Sequence, residues 1–245
     1  MGVLIDEFSV KPLYLELILN GLTIGSATGF IVKNGTLFYL ITNWHVVTGK
    51  DPETNLALSP SGAIDPDKMR VYVHGLKLGQ WLIMEISLLQ EGKKQWLEHP
   101  AGKEVDVVAI PIIPAPNYTI YDLALVLADF DLMIYPSETV SIIGFPQGIT
   151  SSGMLPIWKT GHVASDIDID WKGRPAFLID ATTKSGMSGS PVIAKRVSIY
   201  QTSNGNSIGN AVKFLGVYSG RHLSSEGIEI GVVWKPRVIN EILSM

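Results

Sequence analysis

The run Thr183-Lys184-Ser185-Gly186-Met187-Ser188-Gly189-Ser190-Pro191-Val192-Ile193 sets a serine between two glycines and closes on a proline and a β-branched apolar pair. That pattern describes a tight turn feeding a buried strand. Glycine lets the backbone curl until its N–H groups converge on one point. A hydroxyl beside such amides has the parts of a nucleophile with an oxyanion hole. Taken by itself the run reads first as an ordinary turn, because Gly, Ser and Pro are common turn residues. A base and an orienting acid elsewhere in the chain change that reading.

Upstream, Val10 to Ile31 gives apolar and β-branched segments broken at Asn20-Gly21, Gly25 and Gly29, the pattern of short strands and hairpins. Lys33-Asn34-Gly35-Thr36 is a further turn, and Leu37 to Thr42 is a strand apolar on both faces that ends at Asn43-Trp44-His45-Val46-Val47. A lone histidine in that setting also fits a neutral ring hydrogen-bonded in the core. Thr48 to Lys68 and Gln90 to Glu104 read as loops, with strand-like alternation from Val71 to Leu89 between them. In Val105-Asp106-Val107-Val108-Ala109-Ile110-Pro111 an acid enters an apolar strand, where it is costly to bury without a partner.

Pro114-Ala115-Pro116-Asn117 marks a junction, dividing the chain into residues 1–113 and 114–245. Strands are expected beyond it near Leu123–Leu127, Val140–Gly144, Trp158–Ala164, Ala176–Asp180, Val192–Ile193, Phe214–Ser219 and Ile228–Trp234. Val238, Ile239, Ile242 and Leu243 follow Pro236 at helical spacing, so a short C-terminal helix closes the chain. The pattern predicts an all-β fold of roughly a dozen strands in two halves.

Composition narrows the function. A chain of 245 residues buries a large core, and its net charge of −4 with no Lys/Arg run points away from nucleic acid. With no cysteine, disulfides, thiolate metal sites and thiol catalysis are excluded. Mean hydropathy is +0.25, yet the longest apolar span, Val105 to Pro116, carries Asp106 and three prolines and is too short to cross a bilayer. Asp6 and Glu7 stand where a signal peptide would be basic, so a soluble, cytoplasmic protein is expected, with no membrane partner. The alternating Asp166, Asp168 and Asp170 lack the glycine and glutamate of a calcium loop and are read as a solvated strand face. His74, His99, His162 and His222 show no zinc spacing, so neither metal nor cofactor is expected.

His45, Asp106 and Ser188 lie 61 and 82 residues apart, in the chain order of one arrangement of the serine triad. Serine is a weak nucleophile until a neutral imidazole takes its proton, and a carboxylate fixes the imidazole tautomer. Thr28-Gly29-Phe30-Ile31-Val32, Ile41-Thr42-Asn43-Trp44-His45-Val46-Val47, Asp106-Val107-Val108-Ala109-Ile110, Gly186-Met187-Ser188-Gly189-Ser190-Pro191 and Gly216-Val217-Tyr218-Ser219-Gly220 together resemble the trypsin-like (chymotrypsin-fold) serine peptidases of the cysteine-free bacterial type.

The resemblance implies two six-stranded antiparallel β-barrels with the site in the cleft between them. His45 and Asp106 would come from the first barrel and Ser188 from the second. The Gly186 and Ser188 N–H groups would form the oxyanion hole. Thr182 would floor the specificity pocket, Gly231 would lie near its wall, Ser219 and Gly220 would pair with the substrate backbone, and Arg221 would narrow the cleft or read an acidic substrate group. Asp122, in Tyr121-Asp122-Leu123-Ala124-Leu125-Val126, competes for the acid's role. Asp106 is preferred because it precedes the junction, on the histidine's side. Met187 stands where secreted members carry an acid that pairs with a freshly cut N-terminus, so no zymogen step is expected. Arg221 and Ser190 depart from small residues common in the family and bear on substrate choice. The expected activity is endopeptidase cleavage of a protein or peptide substrate through an acyl-enzyme. A peptide-binding scaffold of low turnover is the alternative, and an esterase a more distant one.

Overall fold

A computed structural model describes residues 4–59, 62, 64–223 and 229–244, with only the backbone of 221–223 and 229. Turn chemistry starts the first ladder. Strands β1 (Pro12–Leu19) and β2 (Leu22–Asn34) join through Asn20-Gly21, at φ 51° and 81°, a two-residue turn whose twist suits antiparallel strands. Strand β3 (Leu37–Thr42) follows across Gly35-Thr36 and runs into helix α1 (Trp44–Thr48). Then come β4 (Lys68–His74), β5 (Trp81–Ser87), the short β6 (Leu89–Gln90), β7 (Lys93–Lys94) and β8 (Leu97–Glu98), and β9 (Val108–Ile112). Pairing runs β5-β4-β1-β2-β3-β9-β8, with β6 and β7 a separate hairpin.

The second half contains β10 (Thr139–Gly144), β11 (Ile157–Val163), β12 (Ala176–Asp180), β13 (Pro191–Thr202), β14 (Gly205–Leu223) and β15 (Glu229–Trp234), followed by helix α2 (Arg237–Leu243). Its six strands close into a barrel in the order β10-β11-β12-β15-β14-β13. The fold is the mostly-β, chymotrypsin-like architecture expected from the sequence, with its single terminal helix.

Three apolar cores follow from this layout. Leu15, Ile31, Leu40, Met69, Val71 and Ile110 pack inside the first ladder. Ile142, Phe177, Ile179, Met187, Val192 and Val233 fill the second barrel. Between them Phe30, Ile41, Val107, Ile143, Phe214 and Trp234 form a third core, capped by Val238, Ile239 and Ile242 of α2. Each fully buried large side chain contributes about 1.5 to 3 kcal/mol, so this middle layer holds the halves together.

Some local expectations are corrected. Leu123–Leu127 is no strand: Leu123 donates one backbone bond to Ile31 and the chain then forms a 3-10 turn at Leu125–Ala128, for want of a partner strand. Asp166, Asp168 and Asp170 lie in a turn region, not on a strand face, and Asp170 pairs with Lys235 at 2.6 Å and with Arg237. The loop expected over Gln90 to Glu104 carries β7, β8 and a 3-10 turn. Helix α2, which follows the second barrel in sequence, also packs on β8 and β9 of the first half, where His99 Nε2 lies 2.6 Å from Glu241 Oε2. The N-terminal segment crosses the other way: Trp158 Nε1 donates to Ser9 Oγ at 2.9 Å, and Lys195 pairs with Asp6.

Candidate active site

The acid comes first because its burial demands an explanation. Asp106 is only 1% exposed, just before β9, and its carboxylate is fully engaged. Oδ1 accepts the His45 backbone N–H at 2.8 Å, and Oδ2 lies 2.6 Å from His45 Nδ1 and accepts the Ser219 hydroxyl. Charge-assisted bonds of this kind replace the water that the buried carboxylate has lost. The Asn43 side chain donates to Asp106 O at 2.6 Å and ties the acid to the residue that opens α1.

Helix α1 is short because Gly49, at φ 68°, turns the chain and returns its N–H to His45 O. His45 thus sits in the first helical turn, directly after the strand that pairs with β9. With Nδ1–H facing the carboxylate, the neutral ring keeps its lone pair on Nε2.

The serine turn is defined by close approaches. Gly186 has φ 93°, and a Cβ there would meet Phe145 O at 2.3 Å; Gly189 has φ 84°, and a Cβ there would meet Thr28 O at 2.0 Å. Neither position admits a side chain. Met187 is fully buried in the second barrel's core. Ser188 Oγ donates to Ser219 O at 3.4 Å, and Thr28 N–H donates to Ser188 O at 2.9 Å. The Ser185 carbonyl accepts from Gln147 N at 2.6 Å. Because the peptide is planar and trans, that bond aims the Gly186 N–H the opposite way.

His45, Asp106, Gly186, Ser188, Ser219 and Gly220 all line one cleft of about 770 Å³ between the halves. Asp122 is not among its lining residues; its backbone carbonyl accepts from Lys11 Nζ at 2.8 Å. Thr182, expected at the pocket floor, is exposed and does not line the cleft. Its neighbour Thr183 is buried there, hydrogen-bonded through Oγ1 to the Tyr218 hydroxyl. Gly231 lies behind that wall, where a Cβ would come within 2.8 Å of Tyr218. The side chain of Arg221 lies outside the described residues.

Sequence reading also missed several cleft residues. Asp51 and Glu53 come from the loop after α1, Trp171 and Arg174 from the second half. Glu53 and Arg174 approach to 3.3 Å across the two halves. Burial alone would raise the Asp51 carboxyl, but bonds from the Thr54 N–H and hydroxyl and the Glu53 N–H hold it below the usual range. These residues sit in loops without periodic pattern, so only the folded chain gathers them. Among the described residues no cluster of three or more His, Cys, Asp or Glu could hold a metal ion, and no helix is long and apolar enough to cross a membrane.

No curated protein matches the chain. Among solved structures, the serine endoprotease from Yersinia pestis is similar at 13% identity and a TM-score of 0.53, covering 99% of this chain and 67% of that one. The Rv3671c protease in its inactive form aligns at 18% identity and a TM-score of 0.47, covering 97% of this chain and 89% of the other. The first likeness shows a shared fold. The model of the trypsin-like peptidase domain matches residues 27–198, which include His45, Asp106 and Ser188. The chain belongs to the trypsin-like peptidase family.

Proposed function

We propose that the chain is a serine endopeptidase that cleaves peptide bonds of protein or peptide substrates through an acyl-enzyme on Ser188. The observation that carries this reading is the Asp106–His45 bond at 2.6 Å opening onto the cleft that Ser188 also lines. In the first step Ser188 Oγ attacks the scissile carbonyl carbon while its proton passes to His45 Nε2. For this the hydroxyl turns from Ser219 O to the imidazole, an adjustment common once substrate fills a site. Asp106 stays ionised and stabilises the imidazolium.

The carbonyl oxygen becomes an oxyanion, received by the Gly186 and Ser188 N–H groups at about 3 kcal/mol per donor. Collapse returns the electron pair, breaks the C–N bond and moves the proton from His45 to the leaving amine. Water then repeats the sequence on the ester and releases Ser188. The Thr183–Tyr218 hydroxyl pair offers the substrate side chain a neutral, polar wall.

A fluorophosphonate probe tests the reading. The wild-type chain is expected to form a phosphonylated adduct at Ser188 and to hydrolyse a peptide library. Ser188→Ala loses labelling, with kcat down on the order of 10⁶-fold. A folded wild-type protein that neither labels nor cleaves would leave the scaffold alternative standing.

A further inference from the structure

We propose that Thr28, in the first half, is a positioning residue for the oxyanion hole of the second half, an inference that rests on the peptidase reading above. Thr28 is fully buried in β2, and its hydroxyl is saturated. Oγ1 donates to Gly186 O at 2.8 Å and accepts the Phe145 N–H at 3.1 Å. Its backbone N–H donates to Ser188 O at 2.9 Å, and its carbonyl accepts from Thr42 Oγ1 at 2.9 Å.

The two partners of that hydroxyl are the two segments that orient the oxyanion amides. Phe145 precedes the Pro146-Gln147 turn, whose Gln147 N–H holds the Ser185 carbonyl and so aims the Gly186 N–H. Gly186 O belongs to the next peptide, whose Met187 N–H turns back to Lys184 O at 3.3 Å. One hydroxyl thus fixes both sides of Gly186, a residue at φ 93° with no side chain to hold its own conformation. Gly186 O, in the second half, thus takes its hydrogen from a side chain of the first half. Preorganised donors are effective because they cost no rearrangement as charge develops, so a group that holds them still acts on the transition state and little on substrate binding.

The experiment compares Thr28→Val, Thr28→Ser and Thr119→Val in the full chain. Thr28→Val keeps the β-branched shape without donor or acceptor. Its kcat is expected to fall about tenfold to a hundredfold with KM within about twofold. Affinity for a peptide boronic acid, which forms a tetrahedral adduct, should fall by the same factor. Thr28→Ser keeps the hydroxyl and should restore kcat to within about threefold. Thr119→Val removes a side-chain bond to Gly75 O, 2.8 Å long and outside the cleft, and should lower the melting temperature with kcat unchanged. Should Thr28→Val not fold, Thr28→Ala replaces it.

A Thr28→Val protein with wild-type kcat and boronate affinity would overturn the proposal, as would Thr28→Ser failing to restore kcat. Equal losses of kcat in Thr119→Val would also overturn it, reducing Thr28 to a general contribution to stability. These outcomes require a wild-type protein that reacts with fluorophosphonate, and an unreactive wild type would instead reject the peptidase reading itself.

Discussion

The two halves of the molecule prepare their functional groups in different ways. In the first half His45 and Asp106 are neighbours in the ladder: β3 leads into α1, β9 follows Asp106, and β3 pairs with β9 from Phe38↔Ile112 to Thr42↔Val108. One sheet thus brings Asp106 and His45 together, and Ser219 of the second half adds its hydroxyl to the Asp106 carboxylate. In the second half the Ser188 turn hangs between strands of a closed barrel, and its carbonyls are taken by Thr28 from the first half and by Gln147 and Ser190 from its own. The contact between His45 and Asp106 is made within one half. The surroundings of Ser188 are completed only when both halves pack. On the proposed mechanism, cleavage would therefore depend on the middle core of Phe30, Ile143, Phe214 and Trp234.

The sharpest way to break this contrast is at the acid. Asp106→Asn leaves the fold and the cleft but cannot hold the His45 tautomer, and kcat is expected to fall about 10⁴-fold. Asp122→Asn, outside the cleft, should leave kcat within about twofold. Peptide hydrolysis rates of the two variants decide between the acids, and a reversed result would move the acid to the connecting segment between the halves.

A second variant probes the nucleophile's side. Met187→Asp places a carboxylate in the second barrel's core, among Val140, Ile142, Phe177 and Val192. An uncompensated buried charge costs about 3 to 5 kcal/mol, measurable by urea unfolding. Met187→Leu, which conserves volume, should cost less than about 1.5 kcal/mol. A stable, active Met187→Asp protein would mean that the turn finds a cation for an acid at this position.

The smallest expected effect belongs to the first half. His74 in β4 is buried against Trp81, with ring centroids 3.9 Å apart, and Nε2 donates to Val10 O at 2.9 Å. Burial pushes its pKa below 6.5 despite that bond, so it is the unfolded chain that binds the proton first. The resulting stability is complete above about pH 6.5 and is lost as pH falls through the window below it. The melting temperature should therefore decline from pH 7 toward 5, and His74→Gln should flatten that decline. The carboxylates held below their usual range, such as Asp51 and Glu98, titrate at lower pH and do not enter this window. An unchanged slope in His74→Gln would show that the acid sensitivity arises elsewhere.

Much of this was legible in the residues alone. Alternation and turn residues, such as Asn20-Gly21 between β1 and β2, determined the strands, because backbone sterics and side-chain period act locally. The histidine, the acid and the Gly-flanked serine each have an ordinary reading alone, and only their chain order together with the surrounding motifs marked them as candidates for one site. The amphipathic spacing of Val238, Ile239 and Ile242 located the terminal helix.

What the residues could not determine is which surfaces meet across the fold. Leu123–Leu127 looks like a strand because it is apolar, but a strand needs a free neighbouring edge, and that is a property of the whole sheet. Thr182 and Thr183 are adjacent and chemically alike, and only the path of the chain beyond β12 sends one to solvent and the other to the Tyr218 hydroxyl. Thr28 stands 158 residues from Gly186, and no local pattern marks a hydroxyl that acts at such separation. Covalent geometry and side-chain period are written along the chain, so a sequence determines them directly. Hydrogen bonds between distant segments exist only after the cores have packed, so the tertiary structure alone decides them.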